Sequence, residues 1–281
     1  MSRRVWVPLR WGDLDAQGHV NNAAFADYLQ EARADFFYGD AAESLIRQGM
    51  VVVGQQIEYL SPVNFESQPL AVDLAPSRVG AVKFSLAYRL WQGQREAARA
   101  RTKLCPYDFT AGQPRRMTAV ERTWLTDRVE TVEPFRPIVN RPLTANARRD
   151  RVRVRWSDLD AYGHVNNVLF FNYIMEGRIA FTAAAVQSMN DSVDQGYLWF
   201  VVRQDVDYLA PMGFRLEPYI VRTGVAQLGR TSLTFCSEIV DALGGQVYAR
   251  ASTVAVFADA AGRPAPVRPE WKAALEPYRL P

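Results

Sequence analysis

A twelve-residue phrase occurs twice in this chain, and each copy holds one of its only two histidines. The first copy reads Trp11-Gly12-Asp13-Leu14-Asp15-Ala16-Gln17-Gly18-His19-Val20-Asn21-Asn22. The second reads Trp156-Ser157-Asp158-Leu159-Asp160-Ala161-Tyr162-Gly163-His164-Val165-Asn166-Asn167. Ten of the twelve positions are identical, at an offset of 145. Asp, His and Asn are costly to bury and are common tools of catalysis. A repeated surface loop has no physical need to keep them as a block, so the phrase is the candidate site. It also constrains the fold, because whatever surrounds the phrase has to be built twice.

The repeat extends beyond the phrase. Phe25, Tyr28, Glu31, Arg33 and Phe36 return at the same offset as Phe170, Tyr173, Glu176, Arg178 and Phe181. Farther on, Ile57-Glu58-Tyr59-Leu60-Ser61-Pro62 matches Val206-Asp207-Tyr208-Leu209-Ala210-Pro211. Arg99-Ala100 then matches Arg250-Ala251, and Pro114 with Leu125 matches Pro264 with Leu275. A period this long marks a duplicated domain, since solenoid repeats run about 20–50 residues. The reading is therefore an N-terminal domain over 1–127, a Pro-stiffened linker over 128–148 and a C-terminal domain over 149–281.

Each half shows the same coarse order. A short alternating strand (4–11; 151–156) leads into the phrase, and a helix follows over 22–38 or from Asn167 to about Met189. Phe25, Leu29, Ala32 and Phe36 recur at spacings of three and four, as do Phe170, Tyr173, Gly177 and Phe181, giving each helix one apolar face. The Asn pairs supply side-chain oxygens that can cap it. Four strands rich in Val, Phe, Tyr and Thr come next, near 50–60, 69–79, 82–92 and 96–107, then near 198–209, 215–226, 230–241 and 246–258. Residues 117–127 read as a short helix. One long helix against about five mainly antiparallel strands, twice over, is an α+β layout.

Composition excludes several function classes. A net charge of +3 with dispersed arginines is no nucleic-acid footprint. No uncharged apolar run approaches the ~18 residues that span a bilayer, and no signal sequence opens the chain. Cys105 and Cys236 lie in apolar runs and read as reduced core residues, which with the other features implies a cytoplasmic protein. No Gly-rich phosphate loop appears. Asp-x-Asp-x-x-x-His offers oxygen and nitrogen ligands, but no second His or Cys cluster completes a metal site, so no metal and no cofactor are expected.

Strand, then Trp-x-Asp-x-Asp-x-x-Gly-His-Val-Asn-Asn, then an aromatic-rich helix resembles the hotdog-fold acyl thioesterases. Both the 4-hydroxybenzoyl-CoA thioesterase-like enzymes and the acyl-ACP thioesterases, which carry two hotdog units in one chain, share this pattern. The resemblance covers nearly all of both halves. It implies two tandem hotdog domains, each a sheet wrapped around its helix, paired as an intrachain pseudo-dimer with sites between paired units, and it leaves a further homodimer open. It places the catalytic carboxylate at Asp15 and Asp160, with His19 and His164 beside them. At the position where acyl-ACP thioesterases carry Asn, this chain has Gln17 and Tyr162. The expected substrate is an acyl thioester on CoA or a carrier protein, with acyl-CoA preferred.

The residues can do that chemistry. A carboxylate at Asp15 or Asp160 can attack the thioester or act as general base on water. Backbone amides at the helix start, around Val20, Asn21 and Asn22 and around Val165, Asn166 and Asn167, can polarise the carbonyl as an oxyanion hole. Gly18 and Gly163 allow a tight turn and leave room for substrate. Asp13 and Asp158 read as structural loop residues, and Trp11 and Trp156 as core or interface residues. Gln55, Gln56 and Glu58, with Gln204, Asp205 and Asp207, are polar positions on the strand after the helix, and some of them can face a site. Lys83 and Arg230, each following a glycine at a hairpin, are candidates for the nucleotide end of CoA. Two rivals remain open at this level: a hotdog enoyl-thioester hydratase or dehydratase, and a non-catalytic acyl-CoA-binding module.

Overall fold

The computed structural model describes residues 2–186, 197–243 and 245–281, and the chain divides into two units, Met1–Phe135 and Arg136–Pro281. In the first unit, β1 (Arg3–Val7) is followed by α1 (Ala24–Phe37), α2 (Ser44–Arg47), β2 (Met50–Tyr59), β3 (Leu70–Val79), β4 (Phe84–Gln92), β5 (Arg95–Asp108), the two-residue β6 (Gln113–Pro114) and α3 (Ala119–Thr126). In the second, β7 (Arg148–Val152) is followed by α4 (Leu169–Ala185), β8 (Tyr197–Tyr208), β9 (Tyr219–Leu228), β10 (Ser232–Val240), β11 (Val247–Asp259) and α5 (Pro269–Leu275). The expected strands all form, with ends shifted by up to about four residues. The expected end of the second helix near Met189 lies outside the described residues.

Within the first unit the sheet order is β1-β3-β4-β5-β2, every neighbour antiparallel. Within the second it is β7-β9-β10-β11-β8, again all antiparallel. Alternation along each strand explains which face is covered. On β4, Phe84, Leu86, Tyr88 and Leu90 are buried, while Arg89 between them is exposed. That inner face lies under α1, which buries Phe25, Leu29, Ala32, Phe36 and Phe37. Phe25 sets its ring edge against Tyr59 on β2, and Phe37 sets its edge against Phe84 on β4. The helix therefore crosses the sheet from the C-terminal end of β2 toward the N-terminal end of β4. Each unit is an α+β hotdog: one long helix enclosed by a curved antiparallel sheet.

The two units differ most at their closing helices. α3 begins with a capping box in which Thr118 Oγ1 accepts the Glu121 amide and Glu121 accepts the Thr118 amide. The fully buried Glu121 carboxylate also takes two hydrogen bonds from Arg115 and one from Ser44. Counting back from the matched Leu125 and Leu275, Trp271 occupies the same place in α5 and packs with Phe181, Phe235 and Phe257. An ionic latch in one unit thus corresponds to an aromatic plug in the other.

Residues within the stretch read as a Pro-stiffened linker make contacts with the units. Glu130 N–H donates to the Pro76 carbonyl, and Arg101 stacks on Phe135. Arg141 donates to Pro281, and Arg222 reaches the carbonyls of Leu143 and Thr144. Both cysteines are buried free thiols. Among the described residues no helix is long and apolar enough to cross a membrane.

Candidate active site

The phrase begins where β1 and β7 stop. The expected strand continuation is replaced by a 3-10 turn at Trp11–Asp13 and Trp156–Asp158. Breaking the alternation there turns both tryptophans outward: each is 73% exposed, so they are not the core residues the strand pattern suggested. Trp11 sets its ring edge against Phe65, and Trp156 against Phe214, at 5.4 Å in both units. Phe65 and Phe214 went unnoticed in the sequence, although each follows a matched proline, Pro62 or Pro211, by three residues.

The loop that follows is a three-residue hairpin. Leu14 bridges to Val20, Asp15 N–H donates to the His19 carbonyl at 2.8 Å, and Gly18 N–H returns to the Asp15 carbonyl at 3.0 Å. Asp at the first position of such a turn, with Gly in the left-handed conformation at its end, is the composition this geometry favours. Gly18 has φ +78° and Gly163 has φ +75°. Asp15 Oδ1 accepts the amides of Gln17 at 2.8 Å and His19 at 3.2 Å. Asp160 Oδ1 accepts those of Tyr162 at 2.8 Å and His164 at 3.4 Å. One oxygen of each carboxylate is thus fastened to its own loop, while Oδ2 accepts no hydrogen bond from the described residues. Gln17 and Tyr162 are exposed on the same turn. Neither imidazole hydrogen-bonds to the described protein, so neither histidine orients its aspartate through the ring.

Asp13 and Asp158 are braces. Asp13 Oδ2 accepts the Tyr28 phenol at 2.8 Å and Arg10 Nε at 2.9 Å. Asp158 Oδ2 accepts the Tyr173 phenol and the Arg155 amide. Burial, reinforced by the adjacent carboxylate, raises both phenols above the ordinary tyrosine range.

The expected oxyanion amides need correction. Val20 N–H donates to the Val63 carbonyl at 2.8 Å, and Asn21 N–H donates to the Asp13 carbonyl at 2.7 Å. Val165 and Asn166 are spent in the same way, on Met212 and Asp158. Of the three amides in each unit, only those of Asn22 and Asn167 donate to no described acceptor. Asn21 and Asn166 use their side-chain oxygens as caps, on the amides of Ala23 and Val168. Asn22 and Asn167 are held by their carbonyls, which accept the phenols of Tyr59 and Tyr208 at 2.8 and 2.9 Å.

Asp15, Gln17, Gly18, His19, Val20, Asn21 and Asn22 therefore form one continuous loop, as do their counterparts. Lys83 and Arg230 do not join the loop of their own unit. They sit at the β3–β4 and β9–β10 turns, whereas the loops lie near Leu70 and Tyr219, at the other ends of β3 and β9. A ten-residue strand separates them by about 30 Å. Among the described residues no group of three or more His, Cys, Asp or Glu side chains is placed to hold a metal ion.

Comparison with known proteins agrees with this architecture. The sequence profile of the thioesterase-like superfamily matches residues 9–125 and again residues 154–275. An acyl-ACP thioesterase from Bacteroides thetaiotaomicron VPI-5482 superposes with a TM-score of 0.67 at 13% identity, covering 92% of this chain and 97% of that one. The 12:0-ACP thioesterase from Umbellularia californica superposes with a TM-score of 0.65 at 13% identity, covering 92% and 97% of the two chains. A search of curated proteins returned no match. With both halves matched by one profile, and with a hotdog in each, the chain belongs to the thioesterase-like superfamily as a tandem double-hotdog member.

Proposed function

We propose that this protein hydrolyses acyl thioesters, with acyl-CoA as its preferred substrate and Asp15 and Asp160 as the reacting carboxylates. The reading rests on the state of those two side chains. Each is oriented through Oδ1 by two backbone amides, while Oδ2 has no partner among the described residues. Gly18 and Gly163 leave the approach uncrowded, since no atom lies within 4 Å of where a Cβ would stand. Family membership supports the same reaction class.

Oδ2 takes the proton of a water whose oxygen attacks the thioester carbonyl, or attacks that carbon itself to give a mixed anhydride that water then opens. In either route the carbonyl electrons move onto oxygen, opposite the Asn22 or Asn167 amide, and return as the C–S bond breaks. The thiolate leaves and takes up the proton. A weak carboxylate base suffices because a thiolate is a good leaving group. The rings of His19 and His164, without a hydrogen-bond partner among the described residues, are available to donate to the carbonyl oxygen or to hold the water.

The test is thiol release from acyl-CoA and acyl-carrier-protein substrates by the Asp15→Asn, Asp160→Asn double variant. Loss of turnover with an unchanged circular dichroism spectrum is expected. Undiminished turnover in that variant overturns the proposal.

A further inference from the structure

The inner face of the first unit carries polar atoms that no described residue satisfies. Gln55 is fully buried, yet neither its Oε1 nor its Nε2 has a hydrogen-bond partner. Thr102, also fully buried, has an unpaired hydroxyl, and so does Tyr88 at 2% exposure. Arg33, 6% exposed, has an unpaired Nη1 and no acidic partner among the described residues. Isolated orphans occur in native proteins, but four side chains in one region, one of them a guanidinium, impose a large desolvation penalty.

Strand register brings them together. Gln55 lies directly opposite Thr102 in the β2–β5 pairing, which puts their Cβ atoms about 5 Å apart. Thr102 lies opposite Leu86 in the β5–β4 pairing, and Tyr88 is two residues along β4 on the same face. Ile57 and Tyr59 share the face of Gln55, and Tyr59 reaches the helix start, so this face looks toward α1. Arg33 lies on the side of α1 away from β1. Its near neighbour Asp35 faces the other way and pairs with Arg3 of β1. Arg33 also falls between Phe25, which meets Tyr59, and Phe37, which meets Phe84, and that is the level of Gln55 and Thr102.

The second unit repeats the residue types, and its Thr253 hydroxyl is likewise unpaired, but its arginine is covered. Gln204 and Thr253 are paired in register, and Arg178 stacks on Trp199 at 5.0 Å. Counting along the matched strands, Met50 stands in the first unit where Trp199 stands in the second. Arg33 has no such cover.

We propose that Arg33, Gln55, Thr102 and Tyr88 form a subsite for a carboxylate carried at the far end of an acyl chain. Four side chains able to donate, one of them permanently charged, are left unpaired there, and such a set suits an anion with two oxygens. Arg33 stands about 14 Å along the helix from Ala24, so the group bound there sits at the distal end of an extended chain whose thioester lies at the Asp15 loop. The inference rests on the thioesterase reading for its substrate and names the class of acyl group that reading leaves open.

The test compares dodecanoyl-CoA with its ω-carboxylated counterpart, on the wild type and on Arg33→Met, Gln55→Leu and Thr102→Val. Thiol release is assayed alongside equilibrium binding of the corresponding non-hydrolysable thioethers. The wild type is expected to favour the ω-carboxylated chain by roughly tenfold or more in kcat/KM and in Kd, the size of one charge-assisted hydrogen bond. Each variant should shrink that ratio while keeping turnover of dodecanoyl-CoA, and Arg33→Met and Gln55→Leu should unfold at higher temperature because an unsatisfied group has been removed. Preference for the plain chain, an unchanged ratio in all three variants, or tight binding of free dodecanoate without discrimination between the thioethers would each overturn the subsite. Absence of thiol release from both esters, with the binding preference intact, would overturn the hydrolase reading and leave the subsite standing.

Discussion

The Tyr28 phenol donates to Asp13 Oδ2 at 2.8 Å across fifteen residues of chain, and Tyr173 repeats the contact with Asp158 at the same separation. This bond ties the phrase to the first turns of the helix it precedes. It explains why an aspartate in the loop and a tyrosine in the helix recur at one offset. The first aspartate of the phrase is scaffold, and the reaction proposed above is assigned to the second.

Tyr28→Phe should keep the ring packing and remove only this bond. Arg10 still pairs with Asp13, so the expected loss is about 1–2 kcal/mol, read as a lower urea midpoint with an unchanged slope. The buried phenol stays protonated because its pKa is raised, so the loss should be constant from neutral pH to mildly alkaline conditions. A loss that vanished at high pH would show that the phenol ionises and that the bond is not the one described.

Asp15→Asn and Asp15→Ala separate scaffold from chemistry within one residue. Asn retains a side-chain oxygen for the Gln17 and His19 amides, whereas Ala leaves both without it. Each variant should remove the turnover contributed by this loop, but only Ala should also lower stability, by about 1 kcal/mol. Single-turnover reaction in isotopically labelled water then distinguishes the two chemical routes. Label entering the aspartate marks an anhydride opened at the aspartyl carbon, a result general-base attack does not produce.

The strands were legible because alternation on β4 follows burial closely, and the duplication offered each pattern twice. The tight turn at Gly18 was legible from the glycine, but the hairpin that Asp15 opens was not. What stayed hidden depended on partners distant in sequence. The Val20 amide reads as a free helix-start donor until the Val63 carbonyl is seen to take it. Trp11 reads as a strand residue until β1 is seen to end at Val7. Gln55 gave only an ambiguous polar position, because its meaning depends on Thr102 across the sheet. The identity between the two phrases also concealed a difference in cover, Met50 against Trp199, that lies well outside them.

The α3 latch should make the first unit sensitive to acid. Burial pushes the Glu121 carboxyl up, but hydrogen bonds from Arg115, Ser44 and the Thr118 amide together outweigh it and bring its pKa down from an ordinary 4.5 to about 2. A depressed carboxylate contributes stability that is complete above its unfolded pKa and is lost as the pH falls through the folded value. The window is therefore from about 4.5 down to about 2, with up to about 3 kcal/mol at stake. Glu121→Gln should flatten the pH dependence of the urea midpoint across that window, and wild type and variant should converge at its acid end. Trp271, in the matching place, carries no such dependence, so Trp271→Ala should cost about 3–5 kcal/mol at every pH.

Two glycines should fail on substitution for different reasons. A Cβ at Gly177 would stand 2.5 Å from Val221 Cγ1, because α4 lies closer to β9 at this point than a side chain permits. The matching position in α1 is Ala32, which fits and is fully buried. Gly177→Ala therefore has to push the helix away from the sheet, at a cost of about 1–3 kcal/mol, even though Ala is the better helix former. Gly18→Ala meets no atom within 4 Å, yet its φ of +78° is unfavourable for any side chain. The expected cost is about 1 kcal/mol, borne by the hairpin that holds Asp15. Urea unfolding should rank Gly177→Ala as the larger loss of stability, while thiol release per folded molecule should fall more for Gly18→Ala. The reverse order would mean that the loop tolerates distortion and that the carboxylate is not positioned by it.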